Sequence, residues 1–172
     1  MTRSLVVAKD PRLPASITDA GLVRQYELAR DIQADRVRVA VALGQAASLR
    51  KQLGAVRDKA QAEAGPLLDE LAKAIDRAAG PAPSESGSEY FDAEGVEPTA
   101  LRRLAQSLSE LQSAVESADA APTEDAVTGL AERRKLVELG LARWEELLAI
   151  DLPKAGKALE AAGLPGLSVG GS

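Results

Sequence analysis

Apolar residues recur at intervals of three and four along most of this chain, and the places where they stop carry proline or glycine. Leu68, Leu71, Ile75 and Ala78 form one such line, and Leu101, Leu104, Leu108, Leu111, Val115 and Ala118 form another. That spacing gathers side chains on one face of an α-helix. A third line runs Val127, Leu130, Arg134, Val137, Leu141, Trp144 and Leu148, with Arg134 as a polar interruption. The longest opens at Leu22, Tyr26, Ala29 and Ile32 and resumes at Val39, Leu43, Ala46, Leu49, Leu53, Val56 and Ala60. It predicts a helix over 16–64, up to ~70 Å long at ~1.5 Å per residue. Gly44 and Gly54 lie inside it at a cost of roughly 1 kcal/mol each, so tertiary packing must support it.

The breaks are read from local chemistry. Ser16-x-x-Asp19 resembles a capping box at the first helix start. Gly65-Pro66 ends the long helix or bends it into the next, since proline suits a first helical position. Gly80-Pro81-Ala82-Pro83 stops helical structure, and Pro98-Thr99 opens the third segment. In SADAAPTEDA, residues 117–126, Pro122 blocks continuation, Thr123 can cap, and Glu124 and Asp125 suit a helix N-terminus. That stretch reads as a hinge between antiparallel neighbours. Pro153 cannot donate to residue 149, so the last long helix is expected to end or kink near Ile150. Asp151 would then cap a short final helix, 152–162, closed by Gly163. The seams predict an all-α, antiparallel three- to four-helix bundle with long helices over 16–167. Residues 1–15 form a short extended tail, in which SLVVA has strand character, and 168–172 a disordered end.

Composition narrows the chemistry. Hydrophobic residues make up 45% of the 172 but aromatics only 2%, so the core must be built from Leu, Val, Ile and Ala. There is no Cys and no His, which removes thiol chemistry, the commonest general base and an ordinary zinc site. Of the 26 acidic residues, Glu85, Glu89, Asp92, Glu94 and Glu97 fall in 81–97 with no base among them, leaving the rest of the chain in balance with its 21 Lys and Arg. Arg50-Lys51 and Arg133-Arg134-Lys135 read as solvated helix faces, and nothing forms the basic surface nucleic acid requires. No apolar run approaches a membrane span, and Leu5 to Ala8 is too short for a signal-peptide core. Residues 80–97 are acidic and rich in Pro, Gly and Ser, a mobile loop that Tyr90-Phe91 could tack to the bundle. Asp92, Glu94 and Gly95 echo a calcium loop, but Tyr90 and Leu101 hold the places where it needs acids.

Asp10-Pro11-Arg12, Asp19, Arg24-Gln25-Tyr26-Glu27-Leu28-Ala29 and Ile32 open a longer motif order. It continues through Ser117-Ala118-Asp119-Ala120-Ala121-Pro122-Thr123-Glu124, Leu141-Ala142-Arg143-Trp144, Leu147, Asp151-Leu152-Pro153, Leu159 and Gly163-Leu164-Pro165. This order resembles the C-terminal helical region of bacterial BNR (Asp-box) repeat propeller proteins, often labelled sortilin-like or glycosyl-hydrolase-like. It covers most of 10–167 and leaves 80–97 unaligned. Lys154-Ala155-Gly156 departs from the family's usual Ala-Phe-Asn after the proline. The resemblance implies a preceding propeller that carries any ligand or glycosidase-like chemistry, and an exported parent protein. It makes SLVVA the tail of a last propeller strand, and the chain a fragment or a truncated gene product.

The expected role is a non-catalytic helical accessory domain, bracing a propeller in the same or a neighbouring chain or mediating protein–protein contact. The alternative is a free-standing coiled-coil adaptor that self-associates. No catalytic, cofactor-binding or metal-ligating residue is singled out. Trp144, Tyr26, Tyr90 and Phe91 are the candidate interaction or packing anchors.

Overall fold

A computed structural model describes residues 9–12, 14–60, 64–82, 95–117 and 119–170. SLVVA, Ala118, Tyr90 and Phe91 lie outside the described residues. Four helices follow in order: α1 (Asp19–Arg57), α2 (Gly65–Ala79), α3 (Leu101–Glu116) and α4 (Glu124–Ala161). All described regular structure is helical, as the seams predict.

Two long helices, α1 and α4, run parallel, with Asp35 beside Arg134 and Gln45 beside Trp144. The third position of the bundle is shared by α2 and α3 in succession, both antiparallel to α1. Arg57 meets Asp69 and Arg50 meets Asp76 at one end, while Gln25 reaches the Val115 carbonyl at the other. The result is an up–down–up bundle whose middle helix is interrupted at its waist. Each of these packing partners supplies one apolar line, and the lines meet in one continuous core. Leu68, Leu71, Ile75, Leu101, Leu104 and Leu108 are buried as their spacing predicts.

The ends of the helices explain their lengths. Thr18, not Ser16, caps α1: its Oγ1 accepts from the Gly21 amide at 3.0 Å. A turn over 14–17 precedes it, with Ile17 N–H donating to the Pro14 carbonyl at 3.0 Å. α1 stops at Arg57 rather than running to residue 64, and α2 is a separate helix that starts at Gly65. Gly80 ends α2 at φ +85°, a conformation that only glycine adopts without strain. Thr123 caps α4 as expected, accepting from Ala126 N–H at 3.2 Å. Gly163 closes α4 at φ +68°, its N–H bonding Glu160 while Leu164 N–H bonds the Leu159 carbonyl at 2.8 Å. That is a Schellman cap, with Leu164 packed back on the core.

Pro153 breaks nothing. α4 continues through it to Ala161, so the expected stop near Ile150 and the separate 152–162 helix do not occur. Proline inside a helix costs about 3 kcal/mol. Past Ile150, Leu152, Ala155 and Leu159 are buried, and each leucine contributes about 1.5–3 kcal/mol that an early end would lose. Pro153 and Ala149 are both exposed, so the missing hydrogen bond falls on the solvent side of α4.

The described ends of the acidic loop are held by arginines. Arg102 donates to the Pro81 carbonyl at 2.9 Å, Arg103 to the Val96 carbonyl at 2.6 Å, and Arg143 pairs with Glu97. Past residue 167, where the sequence pattern ends the bundle, the chain stays on it. Ser168 N–H donates to Gln52 Oε1 at 3.0 Å and its carbonyl accepts from Gln52 Nε2 at 2.7 Å.

Candidate functional site

Two features of the long parallel pair stand out, one facing the core and one facing away from it. The first begins where both helices break their apolar lines with a charge. Asp35 falls between Ile32 and Val39 on the buried face of α1, and only 4% of it is exposed. Arg134 falls between Leu130 and Val137 on α4, and its Nε donates to Asp35 Oδ2 at 2.9 Å. The same guanidinium reaches Asp31 at 3.2 Å. One turn further on, Arg38 lies 3.5 Å from Asp35 and grips Glu138 with two bonds of 2.5 and 2.9 Å. Two arginines thus alternate with three carboxylates across the α1–α4 seam.

Electrostatics follow the bonds. Asp35, then Asp31, holds Arg134 more firmly protonated against the opposing effect of burial. Glu138 does the same for Arg38, with a smaller contribution from Asp35. In return the Arg38 guanidinium holds the Glu138 carboxyl below its ordinary range. A cation at these carboxylates would have to displace both arginines. Among the described residues no group of three or more potential ligands could hold a metal ion.

Trp144 is 2% exposed and donates its indole N–H to Gln45 Oε1 at 2.8 Å, about two turns beyond Arg38 and Glu138 along the same seam. It is a packing anchor, buried between α1 and α4. Arg134, read from sequence as part of a solvated basic face, instead neutralises a buried acid. The signal that would have found the pair was present: two seams, each with one interruption, of opposite sign.

The second feature is the outward side of α1. Tyr26 is 67% exposed, so it does not face the core as its place in the apolar line implied. Val23, Val37 and Val41 are exposed at 55, 51 and 48%. Between Arg30 and Lys51, which are themselves exposed and charged, the exposed residues opposite the core are uncharged; the exposed Arg38 sits at the α4 edge and is bound to Glu138. Gly44 lies in this stretch, and a Cβ added to it would meet nothing within 4 Å. Val127, expected on the α4 seam, is also exposed, at 46%. α4 has only begun there, and the chain has just left its hinge.

Comparison with family models, with curated proteins and with solved structures returns no match.

The remaining surface offers shallow troughs. One of about 440 Å³ lies between α3 and α4 beside Gln106 and Arg133. Gln106 Oε1 has no hydrogen-bond partner there, while its amide nitrogen donates to Glu110 at 2.9 Å. Another of about 270 Å³ lies between α1 and α2 over Leu53, Leu68 and Gly54. Its rim carries the Arg50–Asp76 and Arg57–Asp69 pairs, each at 2.7 Å. No described helix is long and apolar enough to cross a membrane.

Proposed function

We propose that this chain is a non-catalytic helical module whose work is protein–protein contact. The observation that carries the reading is the outward side of α1. It leaves Tyr26, Val23, Val37 and Val41 in water, while the exposed large apolar residues elsewhere, Leu67 on α2 and Val127, Leu139 and Ile150 on α4, are more widely scattered. Isolated exposed apolar residues need no explanation, but the stretch between Arg30 and Lys51, uncharged on its outward side and bounded by charge, marks a contact surface. The polar seam supports the same reading, because its carboxylates and guanidiniums spend their bonds on each other. A buried pair of this kind sets the register of two helices rather than adding stability.

The partner has two candidates. The motif order resembling BNR propeller proteins points to a propeller, braced in the same or a neighbouring chain. The α1 strip points to self-association, as in a coiled-coil adaptor. Co-expression with the coding sequence upstream tests the first. A β-propeller that co-purifies in equimolar amount supports bracing. An upstream product with no β-rich repeat, or one that leaves the chain behind on purification, removes it.

A further inference from the structure

The exposed strip of α1 has a period. Glu27, Ala34, Val41, Ser48 and Ala55 are spaced by seven. Val23, Arg30, Val37, Gly44 and Lys51 follow a second line with the same repeat, offset by three or four. All are exposed. Their middle is small and apolar, with Ala34, Val37, Val41 and Gly44, and their ends carry charge, with Glu27 and Arg30 at one and Lys51 at the other, so the face offers a short coiled-coil-like seam with charged ends. The core of this chain uses neither line.

We infer that the outward face of α1 is the interface of a homodimer in which α1 packs antiparallel against α1 of a second copy. This rests on the protein-contact reading and names the partner for it. Antiparallel packing pairs a residue of one line with a residue of the other. One register brings Val37 against Val41 of the second copy at the centre and Ala34 against Gly44 on either side. It also sets Glu27 against Lys51 at both ends, so opposite charges meet twice. A parallel pair would instead set Glu27 on Glu27 and Lys51 on Lys51.

Size complementarity points the same way. In this register Tyr26, the largest exposed side chain on the helix, flanks Gly54 of the second copy. A Cβ at Gly54 would meet nothing within 4 Å inside the monomer, as at Gly44. Glycine in a helix interior costs about 1 kcal/mol against alanine. Within the monomer no neighbour requires either glycine, and both are small enough to admit the close approach of a second helix. Arg38 approaches its own copy on the opposite flank, and each is already neutralised by Glu138. The strip from Val23 to Ala55 is ~48 Å long and about 10 Å wide, on the order of 1,000 Å² for both copies. That area reaches the lower bound of a specific interface and sits below an obligate one, so dimerisation should depend on concentration.

Sedimentation equilibrium of the full chain from low micromolar to near-millimolar concentration tests the dimer. A monomer–dimer equilibrium is expected. Val41→Glu should abolish it while leaving the melting temperature of the dilute monomer unchanged, because Val41 is exposed there. Glu27→Lys alone should weaken dimerisation about tenfold or more, and adding Lys51→Glu should restore it. The absence of cysteine permits a check of register. Ala40→Cys should cross-link to itself, while Ala34→Cys should cross-link to Gly44→Cys and not to itself. A chain monomeric at every concentration overturns the inference, and so does a dimer that survives Val41→Glu. Self-cross-linking of Ala34→Cys would show a parallel pair and overturn it equally. None of these failures touches the broader contact reading, which is tested by co-purification.

Discussion

Replacing Gly140 by alanine should destabilise this protein even though alanine is the better helix former. Gly140 lies inside α4 and is buried where α4 passes the start of α3. A Cβ there would stand 2.5 Å from the Thr99 carbonyl oxygen and 2.7 Å from Leu104 Cδ1. Ordinary contacts of such atoms begin near ~3.5 Å, so about 1 Å of movement is required. Leu104 can turn, but the Thr99 carbonyl is backbone and belongs to the turn that launches α3. Overpacking of this kind costs about 1–3 kcal/mol, here at the upper end because a main-chain atom must move. The gain in helix propensity returns about 1 kcal/mol. The net expectation is a loss of about 2 kcal/mol, a melting point lower by roughly 4–8 °C for a chain of this length. Gly156→Ala is the control. It also lies within α4, and a Cβ there would meet nothing within 4 Å, so it should gain about 0.5–1 kcal/mol. Urea unfolding followed by far-ultraviolet circular dichroism and by Trp144 fluorescence measures both. If Gly140→Ala proves as stable as the parent, Thr99 does not lie over α4, and the account of the waist fails.

Three further outcomes are expected. Leu108→Ala should cost about 2–4 kcal/mol in the same urea assay, since Leu108 is 0% exposed at the middle of α3; a loss below about 0.5 kcal/mol would mean α3 does not face the core. Asp35→Ala should cost about 1–2 kcal/mol, because Arg134 loses its 2.9 Å partner but keeps Asp31 at 3.2 Å and is itself 42% exposed. Changing both residues, Asp35→Leu with Arg134→Met, should recover most of that loss, and no recovery would mean the pair does more than neutralise itself. Glu138 has a carboxyl held low by Arg38, so its contribution is complete above the ordinary glutamate range and fades as pH falls through the lowered value. Glu138→Gln should therefore lower the melting temperature at neutral pH and make no difference well below pH ~4; a difference that persisted in acid would contradict the pairing.

What the sequence determined by itself was local. α2 and α3 are short, each with a single apolar line, and a helix with one such face has one way to turn toward a core. Their buried leucines are the ones the spacing picks out. The Thr123 cap and the Gly163 stop were legible for the same reason, since each depends on bonds within a few residues. The tertiary structure decided the rest. α1 carries apolar residues on more than one side, and alanine is at home in core and in water. The sequence could therefore be read with Tyr26 inward, whereas packing against α3 and α4 buries Ile32 and Val39 as expected, turns Asp35 inward with them and leaves Tyr26 outside. Pro153 reads locally as a stop, and only the burial of Leu152, Ala155 and Leu159 carries α4 past it. The Asp35–Arg134 seam joins residues 99 positions apart. Each charge alone looks solvated, and only the parallel course of α1 and α4, set by the two helices between them, brings the pair together.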